Sequence, residues 1–356
     1  MLCEKKPESS GDELGLNGIV ELASGYQRAQ VLFTANALDI FRILSDGPKK
    51  AEEVSRVLGF ETRGVGALLD ACVALKILHV SEDGYRNSRT ARLFLLPGRE
   101  TSFSPVLRFW QRFSYGTWGR LEQAVRQNEP QTPTGPKPKD LFDQLLEDSA
   151  QLRLFFDGLA GLAYWPAKKI AEVVDFDRRT HLLDLGGGSG AFSEAIARRH
   201  PHLRVTLFDL EPVCALARER FAKVDPNGRL ATVSGDFYRD PLPGGVDCVL
   251  LANVLHDWST GECAALLKKI HGALAPDGEI IIYEVMPLDN TPSPAVHLFS
   301  LALLLDTKRG RVYTLDEIQR WLDKTGFHGI RRQPIVGGTS LVTAVRKDSR
   351  HPGVPG

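Results

Sequence analysis

Short apolar runs alternate with helical segments over the second half of the chain, and this alternation limits the possible folds most strongly. The predicted strands lie at 181–186, 204–210, 230–236, 246–254 and 279–285, and the predicted helices at 191–200, 213–223, 260–274 and 314–325. Strands that alternate with helices of about 10–15 residues form a parallel sheet with helices on both faces. Closing strands near 328–346 are expected to pair antiparallel. The sequence therefore predicts an α/β fold with a mostly parallel sheet.

The first hundred residues follow a different, mainly helical pattern. Apolar residues keep helical spacing from Ile19 to Leu44, and "GPKKAEEVSRVLGF" predicts a short helix that ends at Gly59. A second helix in "ETRGVGALLDACVALKILHV" precedes two short strands around Asp83 and Gly84. This order is typical of a winged helix, which either binds DNA or serves as a packing scaffold. The second helix has few basic residues and the formal net charge is zero, so we expect no nucleic-acid partner.

Aromatic residues are dense between these two regions, over residues 103–127. Such density is typical of a core and also of a pocket for an apolar ligand. A proline-rich surface loop is predicted at 128–139, helical periodicity runs from Leu141 to Tyr164, and Pro166 is predicted to start another helix through Val174. We divide the chain into a winged-helix-like domain at 15–102, linking helices and pocket wall at 103–165, and an α/β domain at 166–347, with flexible tails at 1–14 and 348–356.

The cysteine pattern and the lack of long apolar runs indicate a cytoplasmic protein. The five cysteines are scattered without a C-x-x-C pair, which predicts reduced thiols rather than a disulfide framework. The N-terminus lacks the apolar core of a signal peptide. No apolar run approaches the roughly 18–20 residues that span a bilayer. We therefore expect neither a membrane partner nor a bound metal ion.

The segment "LLDLGGGSGAF" at 182–192 reads as an apolar strand, a glycine-rich turn and the start of a helix. Glycines allow a tight turn and a close approach of a ligand to the backbone. The helix N-terminus offers unpaired N–H groups. Asp209 ends the next strand, 21 residues after Gly188, where a carboxylate can accept hydrogen bonds from both hydroxyls of a ribose. This pattern fits a dinucleotide or an adenosyl ligand.

Three further features favour the adenosyl ligand. The turn reads Asp-x-Gly-x-Gly-x-Gly, not the wider G-x-G-x-x-G of dinucleotide folds, and it lies in the middle of the chain. "SGDFYRDPLP" follows the third strand and places a carboxylate and an aromatic ring where adenine could be held. Together these segments resemble the S-adenosylmethionine site of class I methyltransferases; a nicotinamide cofactor and a ligand-free turn are the alternatives. The expected cofactor-binding residues are Asp184, Gly186, Gly188, Gly190, Asp209, Leu210, Gly235, Asp236, Phe237 and Asn253.

The stretch "VDCVLLANVLHDWSTGE" at 246–262 begins as an apolar strand and ends in His256, Asp257 and Trp258. Structural strand ends usually carry turn formers such as Gly, Asn or Pro. Open α/β sheets bind ligands at the carboxyl ends of their strands, so an ionisable pair at this place indicates a site. Histidine can remove a proton near neutral pH, since its ordinary pKa is about 6.5.

These blocks, together with "VTLFDLEPV", "LAPDGEIIIYEVMP" and "LDKTGFHGI", resemble an O-methyltransferase family that includes hydroxyindole, caffeate and bacterial polyketide or phenazine O-methyltransferases. The resemblance covers residues 20–346. It implies a Rossmann-like class I methyltransferase domain preceded by an α-helical winged-helix dimerisation domain, and hence a homodimer. It also implies S-adenosylmethionine as the cofactor, S-adenosylhomocysteine as its product and a small aromatic acceptor.

The resemblance also implies catalytic roles. His256 corresponds to the family's general base and Glu284 to an acid that flanks and orients it; Asp257 is a further catalytic candidate that could instead cap a helix. A base suits this chemistry because a phenol, with a pKa near about 10, is scarcely ionised at neutral pH. Many relatives carry a second Glu before an Arg-Thr pair, and Val312 stands at that position here. The missing acid leaves room for a more acidic hydroxyl or another nucleophile.

The acceptor is expected between the carboxyl edge of the sheet and the flanking helices, in an apolar and partly aromatic pocket. Its candidate residues are Phe109, Trp110, Phe113, Phe155, Phe156, Trp165, His297, Phe299, Ser300 and Leu303. The resulting hypothesis is methyl transfer to a hydroxyl of a small aromatic molecule. The alternatives are N-, S- or C-methyl transfer, a homologue that no longer methylates, and a winged-helix regulator that senses S-adenosylmethionine.

Overall fold

The computed structural model describes residues 14–131, 141–225, 227–287 and 293–347. The predicted tails and most of the proline-rich loop lie outside these ranges. The chain divides into two units, and the boundary falls between Arg108 and Phe109. The finer division predicted above, at 102/103 and 165/166, stays a prediction. Within the ranges described, no helix combines the length and apolarity that a bilayer crossing requires.

The first unit consists of helices and one β-hairpin. The predicted helical stretch from Ile19 to Leu44 is divided into three helices, with a break at Ser24 and another at Asp39, whose φ is 56°. The predicted short helix ends at Gly59 as expected, with a left-handed φ of 70°. The elements are α1 (Leu16–Ala23), α2 (Gly25–Ala37), α3 (Ile40–Ile43), α4 (Ala51–Leu58), α5 (Thr62–Ala74), β1 (Leu78–Ser81), β2 (Gly84–Asn87) and α6 (Arg89–Phe94). The order helix, turn, helix and hairpin is confirmed.

The helices that follow correct two predictions. They are α7 (Ser104–Phe109), a π-helical turn (Trp110–Ser114), α8 (Tyr115–Trp118), α9 (Leu121–Gln127), α10 (Leu141–Leu145) and α11 (Ser149–Val173). The predicted new helix at Pro166 was wrong, since α11 continues through this buried proline, which removes one backbone donor without ending the helix. The helix predicted from Leu141 to Tyr164 is instead interrupted near Asp148. The Asp148 carboxylate accepts the N–H groups of Ala150 and Gln151 and so caps a new helix.

The rest of the second unit is built around a seven-stranded sheet in the described residues. Its elements are β3 (His181–Leu185), α12 (Ala191–Arg199), β4 (Arg204–Asp209), α13 (Glu211–Val224), β5 (Leu230–Ser234), β6 (Val246–Ala252), α14 (Thr260–Ala273), β7 (Leu274–Val285), α15 (Pro294–Asp306), α16 (Leu315–Thr325), β8 (Phe327–Pro334) and β9 (Thr339–Arg346). The strand order is β5-β4-β3-β6-β7-β9-β8. β9 is antiparallel to both neighbours, while β3 to β7 are parallel. The predicted α/β fold is confirmed.

Successive side chains of the central strands enter opposite faces of the sheet. Leu183 and Leu251 pack with α14 and α16, whereas Leu182 and Leu250 pack with α11 and α12. Strands buried on both faces read as continuous apolar runs, which explains their strong sequence signal. Because β3, β4, β6 and β7 are parallel, their carboxyl ends lie along one edge of the sheet, and this edge carries the predicted site residues.

Candidate active site

The segment that carries His256 begins where β6 ends, at Ala252, two residues earlier than predicted. Asn253 follows with a left-handed φ of 57°, and its N–H donates to the carbonyl of Tyr283 on β7 at 2.8 Å. A 3-10 turn over Leu255–Asp257 comes next and carries His256. Non-glycine residues at positive φ are uncommon and concentrate at functional sites. The irregular backbone, which the apolar pattern did not predict, turns the histidine out of the strand direction.

Glu284, near the end of β7, binds this turn through both carboxylate oxygens. Oε1 accepts the backbone N–H groups of Val254 and Leu255, at 2.9 and 2.7 Å. Oε2 lies 2.6 Å from Nδ1 of His256. A carboxylate can only accept here, so Nδ1 carries the proton and donates. His256 and Glu284 are 8% and 3% exposed, so solvent weakens their contact little.

Opposing effects set the pKa of His256. Burial disfavours the imidazolium and lowers the pKa, but the charges of Glu284 and Asp257 and the hydrogen bond to Glu284 raise it, from 6.5 to about 9. Oδ1 of Asp257 lies 3.6 Å from Nε2 of the same ring. The neighbouring carboxylates therefore outweigh burial and make this imidazole more basic than a free one. The ring of Phe299 on α15 stands perpendicular to the imidazole, with centroids 5.0 Å apart.

The glycine-rich turn after β3 forms the other part of the site. The alternate glycines of the 186–190 turn have φ values between 58° and 81°. At Gly188 a side chain would also lack space, because a Cβ would lie 2.9 Å from the ring of Phe156. The N–H of Gly188 donates to Oδ2 of Asp209 at 2.9 Å, and the N–H of Leu210 donates to Oδ1 at 2.8 Å. The fold thus brings the predicted turn and the predicted carboxylate together.

Asp184 and Asp209 are buried carboxylates at this end of the site. Burial raises the pKa of each to about 6, although hydrogen bonds oppose the shift. Oδ2 of Asp184 accepts the hydroxyl of Ser193 at 2.6 Å, a contact that the sequence analysis missed. Oδ1 of Asp184 is buried and makes no hydrogen bond within the described residues. Such an acceptor is costly unless a donor reaches it, so these residues fit a polar ligand of the adenosyl type.

Phe237, which the sequence analysis places beside the adenine, lies next to the glycine turn. Its ring would be 3.7 Å from a Cβ placed on Gly186. It packs against Tyr238 and Trp258, with centroids 4.8 and 5.6 Å away. These contacts hold the ring of Phe237 in place.

Asp236 has local partners instead. Its Oδ1 accepts the N–H of Tyr238 at 2.8 Å, and its Oδ2 lies 3.3 Å from Arg239. Gly235 passes close to Phe208, whose ring would be 2.5 Å from a Cβ at that position. The side chain of Asn253 is exposed.

Four of the predicted pocket residues form one aromatic cluster. The cluster consists of Phe109, Phe113, Phe155 and Phe156, and neighbouring ring centroids lie 5.3–5.8 Å apart. Phe142 joins it, 6.3 Å from Phe156, and was missed although helical periodicity could have placed it there. Since Phe156 also borders Gly188, the cluster reaches the glycine turn.

The other predicted pocket residues are distributed more widely. On α15, Leu303 is buried, Phe299 and Ser300 are half-buried, and His297 is exposed. Trp110 is half-buried in the π-helical turn. Trp165 is 58% exposed and packs against Tyr164 rather than in the phenylalanine cluster.

Sequence models of known families match both units. Residues 118–328 match the O-methyltransferase domain, and residues 20–97 match the O-methyltransferase dimerisation domain. The chain belongs to the O-methyltransferase family. A related protein is the 3-hydroxy-5-methyl-1-naphthoate 3-O-methyltransferase of Streptomyces sahachiroi, 34% identical over 331 residues that cover 92% of this chain and 94% of that protein. Acetylserotonin O-methyltransferase of Mus musculus is 34% identical over 340 residues, covering 92% and 87%.

Solved structures of the family give the same result. Human N-acetylserotonin methyltransferase, determined in complex with S-adenosylmethionine, aligns with a TM-score of 0.87 and 28% identity, covering 96% of this chain and 100% of that one. The expected methyltransferase fold with an N-terminal helical dimerisation domain is confirmed. The enzyme is an S-adenosylmethionine-dependent O-methyltransferase.

Proposed function

We propose that this O-methyltransferase methylates a hydroxyl group of a small aromatic molecule, with His256 as its general base. The contact between His256 and Glu284, 2.6 Å long and almost fully buried, is the observation that carries the proposal. A histidine that serves only to fill space does not need a buried carboxyl partner that is itself held by two backbone N–H groups.

The proton path follows from this contact. In the neutral ring, Nδ1 keeps its proton and donates to Glu284, so Nε2 has the lone pair that can accept the proton of an acceptor hydroxyl. The imidazolium that results is stabilised by Glu284 and by Asp257, whose Oδ1 is 3.6 Å from Nε2. General-base catalysis of this kind contributes roughly 10²–10⁴-fold to the rate.

The cofactor end supplies binding and orientation. Bound S-adenosylmethionine supplies an electrophilic methyl group on a positively charged sulfur. We assign Asp209 to the ribose hydroxyls, the unpaired oxygen of Asp184 to a donor group of the ligand, and Phe237 to the wall beside the adenine. The glycine turn lets the ligand approach the backbone closely.

An aromatic acceptor is supported by the apolar residues near both ends of the site. The phenylalanine cluster borders Gly188, and Phe299 contacts the imidazole of His256. Rings of this kind bind planar apolar molecules and leave polar groups to fix their orientation. The relatives described above are named for a hydroxynaphthoate and for acetylserotonin, which agrees with an aromatic hydroxyl compound.

A homodimer is the proposed assembly. Helix α1 exposes Leu16, Ile19, Val20 and Leu22, each at least 55% accessible in a single chain. An apolar surface of this kind is typical of a protein interface. A two-fold dimer is the commonest closed assembly, and light scattering at micromolar concentration should give twice the chain mass.

Methyl transfer from labelled S-adenosylmethionine to phenols, catechols, hydroxyindoles and hydroxylated polycyclics tests the proposal. We expect labelled O-methyl product from the unmodified enzyme and a rate roughly 10²–10⁴-fold lower from His256→Ala, with intact cofactor binding. His328→Ala, an exposed histidine on β8, is the matched control and should retain the rate. Near-normal turnover in His256→Ala would exclude this residue as the base, and an N-, S- or C-methylated product would exclude the proposed nucleophile.

A further inference from the structure

Residues 307–313, here called the strap, connect α15 with α16 and run alongside the turn that bears His256. The N–H of Arg311 donates to the carbonyl oxygen of His256 at 2.8 Å. The hydroxyl of Tyr313 donates to the carbonyl oxygen of Trp258. The strap therefore binds the carbonyl groups of the same short segment whose N–H groups are bound by Glu284.

Gly310 allows the strap to come this close. A Cβ on this residue would lie 2.6 Å from the carbonyl oxygen of His256 and 2.4 Å from Oγ1 of Thr307. Oγ1 of Thr307 accepts the N–H of Gly310 at 2.9 Å and donates to the carbonyl of Leu303 at 2.8 Å. Leu303 belongs to α15, the helix that also places Phe299 against the imidazole. Thr307 therefore ties the start of the strap to this helix, close to the point where Gly310 meets the His256 carbonyl.

Tyr313 is held firmly enough to act as an anchor. Its side chain is buried, its ring packs against Trp321 with centroids 4.8 Å apart, and the Arg311 guanidinium lies 4.2 Å from the ring centroid. Burial raises its pKa to about 12, so the hydroxyl keeps its proton at any working pH and remains a donor. Arg311 is itself paired with Glu317.

We propose that Gly310 and Tyr313 are positioning residues, which hold His256 against Glu284 by fixing the carbonyl side of its turn. This inference rests on the role proposed above for His256. The segment from Val254 to Trp258 is bound by Glu284 at its first two N–H groups and by the strap at the carbonyls of His256 and Trp258, so its peptides cannot rotate freely and the ring orientation follows from the backbone. Val312, where many relatives carry a second acid, belongs to this strap. The enzyme therefore supports its base from this side through backbone contacts and a tyrosine hydroxyl.

Tyr238 offers a matched control for Tyr313. Its ring packs on Trp258, with centroids 4.5 Å apart, but its hydroxyl has no hydrogen-bond partner in the described part of the chain. Tyr313→Phe and Tyr238→Phe each remove a hydroxyl group from a tyrosine beside Trp258, and the first alone removes a hydrogen bond. Gly261→Ala similarly controls for Gly310→Ala, because a Cβ at Gly261 would meet open space.

The first measurement is the titration of His256 by NMR in the full-length, ligand-free enzyme, with His256→Ala identifying the signal. Tyr313→Phe should loosen the contact with Glu284 and move the pKa of His256 toward 6.5 by about half a unit or more, whereas Gly310→Ala should move it further. Turnover of an acceptor found in the panel should fall about 3- to 10-fold in Tyr313→Phe with unchanged cofactor affinity. Tyr238→Phe and Gly261→Ala should change neither quantity.

The outcomes separate this inference from the proposed function. Full turnover in His256→Ala would overturn both. Lost turnover in His256→Ala, together with an unchanged His256 titration in Tyr313→Phe, would overturn the role of the strap alone. A shift of equal size in Tyr313→Phe and Tyr238→Phe would also overturn it, since the effect would then come from the aromatic packing. If Gly310→Ala does not fold, Tyr313→Phe still decides the question.

Discussion

The buried carboxylates at the two ends of the site differ in how completely they are paired. Glu284 receives two backbone N–H groups and the imidazole of His256. Asp184 is equally buried, yet one of its oxygens has no donor within the described residues. The base end, named for the proposed role of His256, is thus paired before any ligand binds, whereas the cofactor end, named for the proposed role of Asp209, keeps an acceptor without a donor. This difference agrees with the proposed roles, which are proton transfer at one end and cofactor binding at the other.

The ionisable groups at the two ends also differ in what sets their pKa values. Burial disfavours the ionised forms of Asp184 and Asp209 and raises the pKa of each to about 6. At the base end, burial likewise opposes the charge on His256, but the neighbouring carboxylates outweigh it and raise its pKa to about 9. Burial alone therefore does not decide the charge state, because the partners of each group do. Substitutions at the two ends should accordingly change different quantities.

The largest effect is expected from Glu284→Gln. The amide oxygen can still accept the N–H groups of Val254 and Leu255, but the amide nitrogen then faces Nδ1 of His256 and donates to it. The ring is forced to carry its proton on Nε2, which can no longer accept one. Turnover should fall roughly 10²–10⁴-fold, while the Kd for S-adenosylmethionine measured by calorimetry stays the same.

Glu279→Gln is the control on the same strand. Glu279 is also buried, at 6% exposure, and pairs with Arg179 rather than with a site residue. Its substitution should lower the thermal stability without changing turnover per folded enzyme. Equal losses of turnover in both variants would mean that Glu284 acts only through the stability of β7.

Asp209→Ala should give the next largest effect, and at the other end of the site. Its loss removes a charged acceptor of ligand hydroxyls and leaves the N–H of Gly188 without its partner. A hydrogen bond to a charged group is worth about 1.5–3 kcal/mol, so the Kd for S-adenosylmethionine should rise roughly 10- to 100-fold. Turnover at saturating cofactor should change little. An unchanged Kd with reduced turnover would contradict the assignment of Asp209 to cofactor binding.

The sequence predicted the sheet and the main site residues, but not the backbone contacts that hold them. The alternation of apolar strands and helices predicted the sheet. Residue type marked His256 and the glycine turn, because an ionisable strand end and a run of glycines are unusual there, whereas Glu284 was marked by the family resemblance. Contacts that depend on backbone position were not predicted. Neither Gly310 nor Tyr313 stands out in the sequence, since their importance comes from the distance between the strap and the His256 carbonyl.

The local errors have similar causes. Pro166 signals a helix start in the sequence, but the packing of α11 on the sheet retains the helix through it. The apolar residues Val254 and Leu255 continue the strand pattern, yet Glu284 binds their N–H groups and so draws the backbone out of the sheet. The buried carboxylate of Glu284 overrides the local strand propensity here, and a single sequence does not show which carboxylate will do so.

A smaller effect is expected from pH at the cofactor end. In the proposed site an ionised Asp209 accepts the ribose hydroxyls, so protonation competes with binding, and the affinity for S-adenosylmethionine should fall by up to about tenfold per unit below pH 6. Asp209→Asn should bind more weakly but with a flatter pH dependence. Because the pKa of Asp184 is raised to the same range, Asp184→Asn shows which acid causes the pH dependence of binding. The dependence should remain in this variant if Asp209 is responsible. The stability of the ligand-free enzyme should depend on pH in the opposite direction to ligand affinity. Because the pKa values of Asp184 and Asp209 are raised in the folded state, stability is lost as the pH rises from about 4 through 6.

The smallest predicted effect links the two ends. S-adenosylmethionine and S-adenosylhomocysteine differ by one methyl group and one positive charge, so the pair isolates the effect of that charge on His256. A positive charge disfavours the imidazolium, and the pKa of His256 measured by NMR should be lower with the first ligand than with the second, by on the order of one unit or less. Such a shift would lower the pKa of His256 from about 9 toward neutral pH when the methyl donor is bound. Equal pKa values in the two complexes would mean that the ends of the site act independently, and turnover should then keep rising with pH up to about 9.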